Sequence, residues 1–313
     1  MASEVKQRLL KIPILCSLIS LVDKIKIPGL EGLSLYDVVE MYVLGIIKGA
    51  LSSRASAISF SFFMAIFPFL LFILNLIPFV PIQDFQADVF AFIDGILPPQ
   101  TSDFFNNIII DIMNNRRGGL LSVVFVLSMF LTTNGVQAVF AGFENSYHVE
   151  VNRSFFKQYL VSFGVAIILA FLLLTAVGGI VFFEFFINVL FKNKIIEDAL
   201  FWITIGKRVF YLMMIVLGVG TFYYFGCTGN LKPKFFSVGL FFTSILLVGT
   251  TYLFGIYVED FSRYNELYGS IGALLILMVY IWLNANILLL GFELNAALRS
   301  LKNRNLKKSK AAQ

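Results

Sequence analysis

Three charged side chains, Arg54, Glu144 and Glu293, stand with a set of amides inside or at the margins of long apolar stretches of this 313-residue chain. At the centre of a helix in hydrocarbon a charge costs about 2.5 kcal/mol or more, so it turns toward a partner or a wet cavity. Glu144 and Asn145 extend a stripe begun by Asn134, Gln137 and Ala141 at three- and four-residue steps, preceded by Thr132 and Thr133. That stripe has two readings, hydrogen bonding between helices or a substrate path. Arg54 stands at the foot of another stripe, Ala57, Ser61, Ala65 and Pro68, which reads as close packing of small residues. Toward the other end of the chain Asn286 and Glu293 lie seven residues apart on one helical face, with Asn284 and Asn295 on roughly the opposite one. The chemistry open to these groups is ion pairing of Arg54 with Glu144, with Glu293 or with both, either as a gate or proton site or as a static structural pair. Glu184 with Lys207 and Arg208 forms a second candidate pair, nearer the opposite membrane face.

Other chemistries lack their residues. A helix-borne zinc site needs paired histidines, and the chain has one, His148, which reads as a solvated loop residue. Neither a phosphate-cradling G-x-x-x-x-G-K-[ST] loop nor a G-x-S-x-G nucleophile turn occurs, and the acidic residues are too dispersed for a two-metal nuclease centre. The expectation is therefore a protein that is not an enzyme and that needs no metal or cofactor. Cys16 and Cys227 lie far apart and indicate no disulfide framework.

The elements that must hold these groups follow from composition. Hydrophobic residues make up 58% of the chain and charged ones 14%, well below the roughly 25% of soluble globules. Apolar runs of spanning length recur from Ser56 to Leu294 and leave no room for a separate soluble domain. Six spans are predicted, Ser56 to Val80, Leu120 to Phe143, Tyr159 to Phe186, Val209 to Cys227, Phe235 to Tyr257 and Ile271 to Leu294, all helical because they lack the alternation of barrel strands. The third is long enough to tilt, with Gly178-Gly179 as a bend. The expected fold class is thus an all-α polytopic membrane protein with amphipathic interfacial helices.

Counting Lys and Arg places 17 on the side of the two termini and 7 on the other, which predicts cytoplasmic amino and carboxyl ends. Three parts follow: residues 1–54 as a cytoplasmic or interfacial amphipathic region, 55–298 as the six-helix domain, and 299–313 as a basic cytoplasmic tail. Ile12 to Val22 has the look of a signal-peptide core, but Pro13 interrupts it and no small-residue cleavage site follows, so it reads as an interfacial helix. Tyr36 to Ala50 reads as a further amphipathic stretch along the same interface. The external segment 81–119 sets Asp84, Asp88, Asp94, Asp103 and Asp111 among apolar residues, a pattern of two amphipathic helices broken at Leu97-Pro98-Pro99. They either pack on the spans or cover the mouth of a cavity. The net charge of +5 reads as topology and affinity for anionic lipid, with no nucleic acid as partner, and the 36 Phe residues as lipid-facing bulk.

Specific segments resemble a known family. Ser53-Arg54-Ala55-Ser56-Ala57-Ile58-Ser59-Phe60 with Ala65-Ile66-Phe67-Pro68, then Glu144-Asn145-Ser146-Tyr147 with Val149 and Arg153, resemble the YihY/BrkB family of bacterial inner-membrane proteins. The most specific match is Tyr264 to Ala273, containing Asn265, Tyr268, Gly269, Ser270 and Gly272, followed by Tyr280-Ile281-Trp282 and Leu289 to Ala296. The resemblance covers Tyr36 to Leu298; Ser56 and Ser59 depart from it, since the family motif more often has alanine there. It implies six spans in the inner membrane and a role in envelope integrity. It also implies that the older label ribonuclease BN on some members is a misassignment. Two functions fit these residues. One is movement of an amphipathic or lipid substrate through a polar seam of the first, second and last spans. The other is a non-catalytic scaffold that holds membrane lipids or envelope proteins.

Overall fold

The computed structural model describes residues 50–76, 118–144, 154–194, 197–227, 234–260 and 270–311. The expected amphipathic segment 81–119 lies outside them except for its last residues, and so do the amino-terminal region before Ala50, Asn145, Asn265, Tyr268 and Gly269. Six helices make up the described chain: α1 (Leu51–Leu76), α2 (Gly118–Glu144), α3 (Phe155–Lys192), α4 (Ala199–Gly226), α5 (Val238–Asp260) and α6 (Ser270–Ala311). Among the described residues there is no strand. Helices α2 to α6 are each long and apolar enough to cross a membrane. Helix α1, 26 residues and therefore about 39 Å long, exceeds the roughly 30 Å of a hydrocarbon core. The protein is an all-α polytopic membrane protein.

Local signals set several helix ends. The sequence reading starts the fourth span at Val209, just after Lys207 and Arg208, but α4 begins ten residues earlier at Ala199. Asp198 caps it, its carboxylate accepting from the Phe201 amide at 3.0 Å, and two exposed charges in the first third of a helix do not stop it. Helix α3 runs without interruption through Gly178-Gly179 and closes with Lys194 in the left-handed region (φ 55°), whose amide donates to the Phe191 carbonyl. The basic stretch that begins at Arg299 continues α6 as far as Ala311.

The helices form a ring in chain order, each packing on its neighbour in sequence, with α6 returning against α1. The α1–α2 contact is the most extensive, and α2 also touches α4 and α6 across the ring. One apolar cluster fills the centre: Leu51, Ile58, Val136, Phe140, Phe143, Val165, Val219, Tyr223, Leu240 and Leu289 are among its members. The outward faces carry Phe171, Phe182, Leu200, Ile245, Tyr252 and many other large exposed hydrophobics, as a surface facing lipid must.

Glycine lets α5 and α6 approach closely. A Cβ on Gly291 would collide with the Thr243 and Tyr223 side chains, and one on Gly239 with the Gly291 carbonyl and Asn295. Through this gap Tyr223 donates to the Leu288 carbonyl at 2.8 Å and meets the Thr243 hydroxyl at 2.6 Å, tying α4, α5 and α6 together.

Candidate functional site

The ring closes on a charge. Arg54, in the first turn of α1, is buried, and its Nη2 lies 2.9 Å from Glu293 Oε1 on α6. Its Nη1 donates to the Gly142 carbonyl of α2 at 2.7 Å. A cation gains nothing from the positive end of its own helix, so its stabilisation comes from the other two. The Gly142 carbonyl belongs to the last turn of α2, where carbonyls lack an intrahelical donor and the helix dipole is negative. One guanidinium thus caps α2 and neutralises a carboxylate of α6. Gly142 permits the approach: a Cβ there would press on Ile58 and Leu289 at 3.0 and 3.1 Å.

The surroundings are buried and aromatic. Phe143 and Phe292, the sequence neighbours of Gly142 and Glu293, stack with centroids 4.0 Å apart, and Tyr223 tilts against both rings. With Glu293 2% exposed, water does not screen the pair. Within the buried guanidinium, Nε has no hydrogen-bond partner among the described residues.

A second polar contact joins the same end of the bundle. Glu144, the last residue of α2, accepts from Gln158 Nε2 of α3 at 3.0 Å. Gln158 and Ser162 are both buried, and Ser162 bonds back to the Gln158 carbonyl. On the far side of α6, Asn295 accepts from the Gly239 amide at 2.8 Å and donates to Ser237 Oγ, so it helps Ser237 cap the start of α5. The two polar faces of α6 read from the sequence meet two different helices: Glu293 turns to α1 and Asn295 to α5.

The remaining sequence candidates fall elsewhere. Asn134 and Gln137 are half-buried on α2, and neither makes a side-chain hydrogen bond among the described residues. Ser61 bonds back to the Ala57 carbonyl on an exposed face, whereas the buried face of α1 carries Arg54, Ala55, Ile58, Ser59 and Ala65. The small-residue stripe therefore divides: Arg54 and Ala65 turn inward, and Ala57 and Ser61 do not. Asn286 bonds to the Trp282 carbonyl of its own helix. Ser270 opens α6, and Gly272 is buried within its first turn. Lys207 pairs with Glu184 between α4 and α3, largely exposed, and Arg208 is exposed beside it. Such a pair is worth at most about 1 kcal/mol. Sequence reasoning did not select Gln158, Ser59, Tyr223 or Thr243. Gln158 had a signal, a lone amide four residues before Ser162 on the inward side of an apolar helix.

Among the described residues no group of three or more His, Cys, Asp or Glu could hold a metal ion.

A family model described as virulence factor BrkB matches residues 45–313, the whole of the described bundle. The chain belongs to the BrkB family. A Bacillus subtilis member described as ribonuclease-like protein YfkH is 30% identical over 253 residues, 80% of this chain and 90% of that one. A UPF0761 membrane protein of Coxiella burnetii is 22% identical over 76% of this chain and 84% of its own. A longer UPF0761 membrane protein of a Psychrobacter species is 25% identical, and the match covers 46% of its length. No solved structure matches. The BrkB ring of six helices is closed by the pairing of Arg54 with Glu293.

Proposed function

We propose that this BrkB protein lies in the bacterial inner membrane with both ends in the cytoplasm, where it moves an amphipathic, lipid-like substrate. It is not an enzyme on this reading, and the ribonuclease-like description stays with the Bacillus protein. The observation that carries the proposal is the buried Arg54–Glu293 pair at the contact that closes the ring. Apolar side chains would join α1, α2 and α6 at least as firmly, because a buried ion pair recovers little beyond its own desolvation cost. What charges add is a contact that loosens when water reaches it, which is the behaviour of a latch. Helix α2, whose last turn the same guanidinium caps, also carries the half-buried amides of Asn134 and Gln137. On this reading those amides supply the polar groups of the substrate path.

The second reading, a scaffold for membrane lipids and envelope proteins, draws on the stacked Phe143 and Phe292 that seal the same end. One experiment separates the two. Liposomes carrying the purified protein should transfer labelled phospholipid between leaflets faster than empty ones, and Gln137→Leu should slow them. Equal rates with and without protein would leave the scaffold.

A further inference from the structure

A second polar cluster lies away from the latch, on a cleft of about 280 Å³ between α4, α5 and α6, lined by Tyr211, Leu247, Thr251, Tyr280, Ile281 and Asn284 among others. Tyr211 and Thr251 fall near the middle of α4 and α5, so the cleft opens at the depth of the acyl chains. We propose that it binds the head of an uncharged, hydroxyl-bearing lipid, such as a monoacylglycerol.

The Leu247 carbonyl can only accept, so the single Thr251 proton goes to it, at 2.8 Å. Tyr280 must then donate to Thr251, also at 2.8 Å, and Tyr211 donates to the same oxygen at a longer 3.4 Å. One Asn284 N–H is taken by the Tyr280 carbonyl. The cleft is left with acceptor oxygens on Tyr211, Tyr280 and Asn284 and one free amide N–H. Acceptors in excess call for a ligand that donates. Among the described residues no charged side chain lines the cleft, and an ionised head at this depth would be uncompensated, so the ligand is neutral. The apolar flanks, Leu247 and Ile281, suit its chain. A volume of several waters at about 30 Å³ each suits a small head.

The site rests on the proposed movement of amphiphiles for its purpose. Binding is read at equilibrium, so failure to bind and failure to translocate are separate results. Protein in phosphatidylglycerol liposomes is photolabelled with a monoacylglycerol bearing a diazirine in its chain, with the dimethyl ether of the same probe, and with a lysophosphatidic acid of equal chain length. The hydroxyl probe should label peptides containing Thr251 and Asn284 about fivefold more than either of the others. Asn284→Leu and Thr251→Val should bring its labelling down to the level of the ether. Equal labelling by alcohol and ether in the wild-type protein, which needs no variant to fold, overturns the proposal. So does stronger labelling by the phosphate probe, or labelling of the hydroxyl probe elsewhere in the chain.

Discussion

Removal of Glu293 alone should harm the protein more than removal of both members of its pair. In Glu293→Leu, Arg54 loses its 2.9 Å contact, keeps one bond to Gly142 and stays in a setting where its side chain is 7% exposed. A buried charge stranded in this way costs about 3–5 kcal/mol. Arg54→Met takes the guanidinium from the Glu293 carboxylate and the cap from α2, and should also destabilise the protein. The double variant, Arg54→Met with Glu293→Leu, buries two apolar side chains against Ile58, Phe143 and Phe292, and should lie within about 1 kcal/mol of the wild type or above it. The coupling in a double-mutant cycle is then about 3 kcal/mol or more. Exchange of the charges, Arg54→Glu with Glu293→Arg, restores attraction but turns a carboxylate toward the Gly142 carbonyl, so it should rescue less than the apolar pair. Unfolding in detergent micelles, followed by far-ultraviolet circular dichroism, reads the series, with the single variants melting on the order of 10 °C lower. A loss below about 1 kcal/mol in Glu293→Leu, or costs that simply add in the double variant, would refute the reasoning.

Three further outcomes are expected in the same unfolding assay. Gly291→Ala places a methyl where Thr243 and Tyr223 already meet and should cost about 1–3 kcal/mol, whereas Gly249→Ala, with open space around it, should be neutral or slightly stabilising. Gln158→Leu removes a donor from the partly buried Glu144 and should cost about 1–3 kcal/mol, with faster hydrogen exchange at the start of α3. Lys194→Gly relieves a left-handed lysine at the end of α3 and should add about 0.5–1 kcal/mol.

The architecture was legible because spanning a membrane leaves a chain few choices. Apolar runs of about 20 residues name the helices, and each of the six overlaps one of α1 to α6. Their ends were less legible: Lys207 and Arg208 looked like a boundary, but an exposed flank tolerates charge, and the signal that starts α4 is the modest cap of Asp198. Of the site, the sequence offered Arg54, Glu144 and Glu293 as a set but could not apportion them. The choice depends on packing: closure of the ring brings α6 to α1, and Glu144 receives Gln158 from α3. The Gly142 carbonyl was invisible because every residue has one, and only the end of a helix leaves it open. Tyr223 and Thr243 looked like bulk, and only the two-glycine crossing reveals their hydroxyls as partners.

Helix α6 is a single 42-residue rod, about 63 Å long and twice the thickness of the hydrocarbon layer. Glu293 sits partway along it, and the basic segment that begins at Arg299 continues the same helix. A rigid rod pivoted at one point is a lever. On the proposed reading, anionic lipid that drew on the basic residues from Arg299 onward would act through one unbroken helix, as torque, on the carboxylate paired with Arg54.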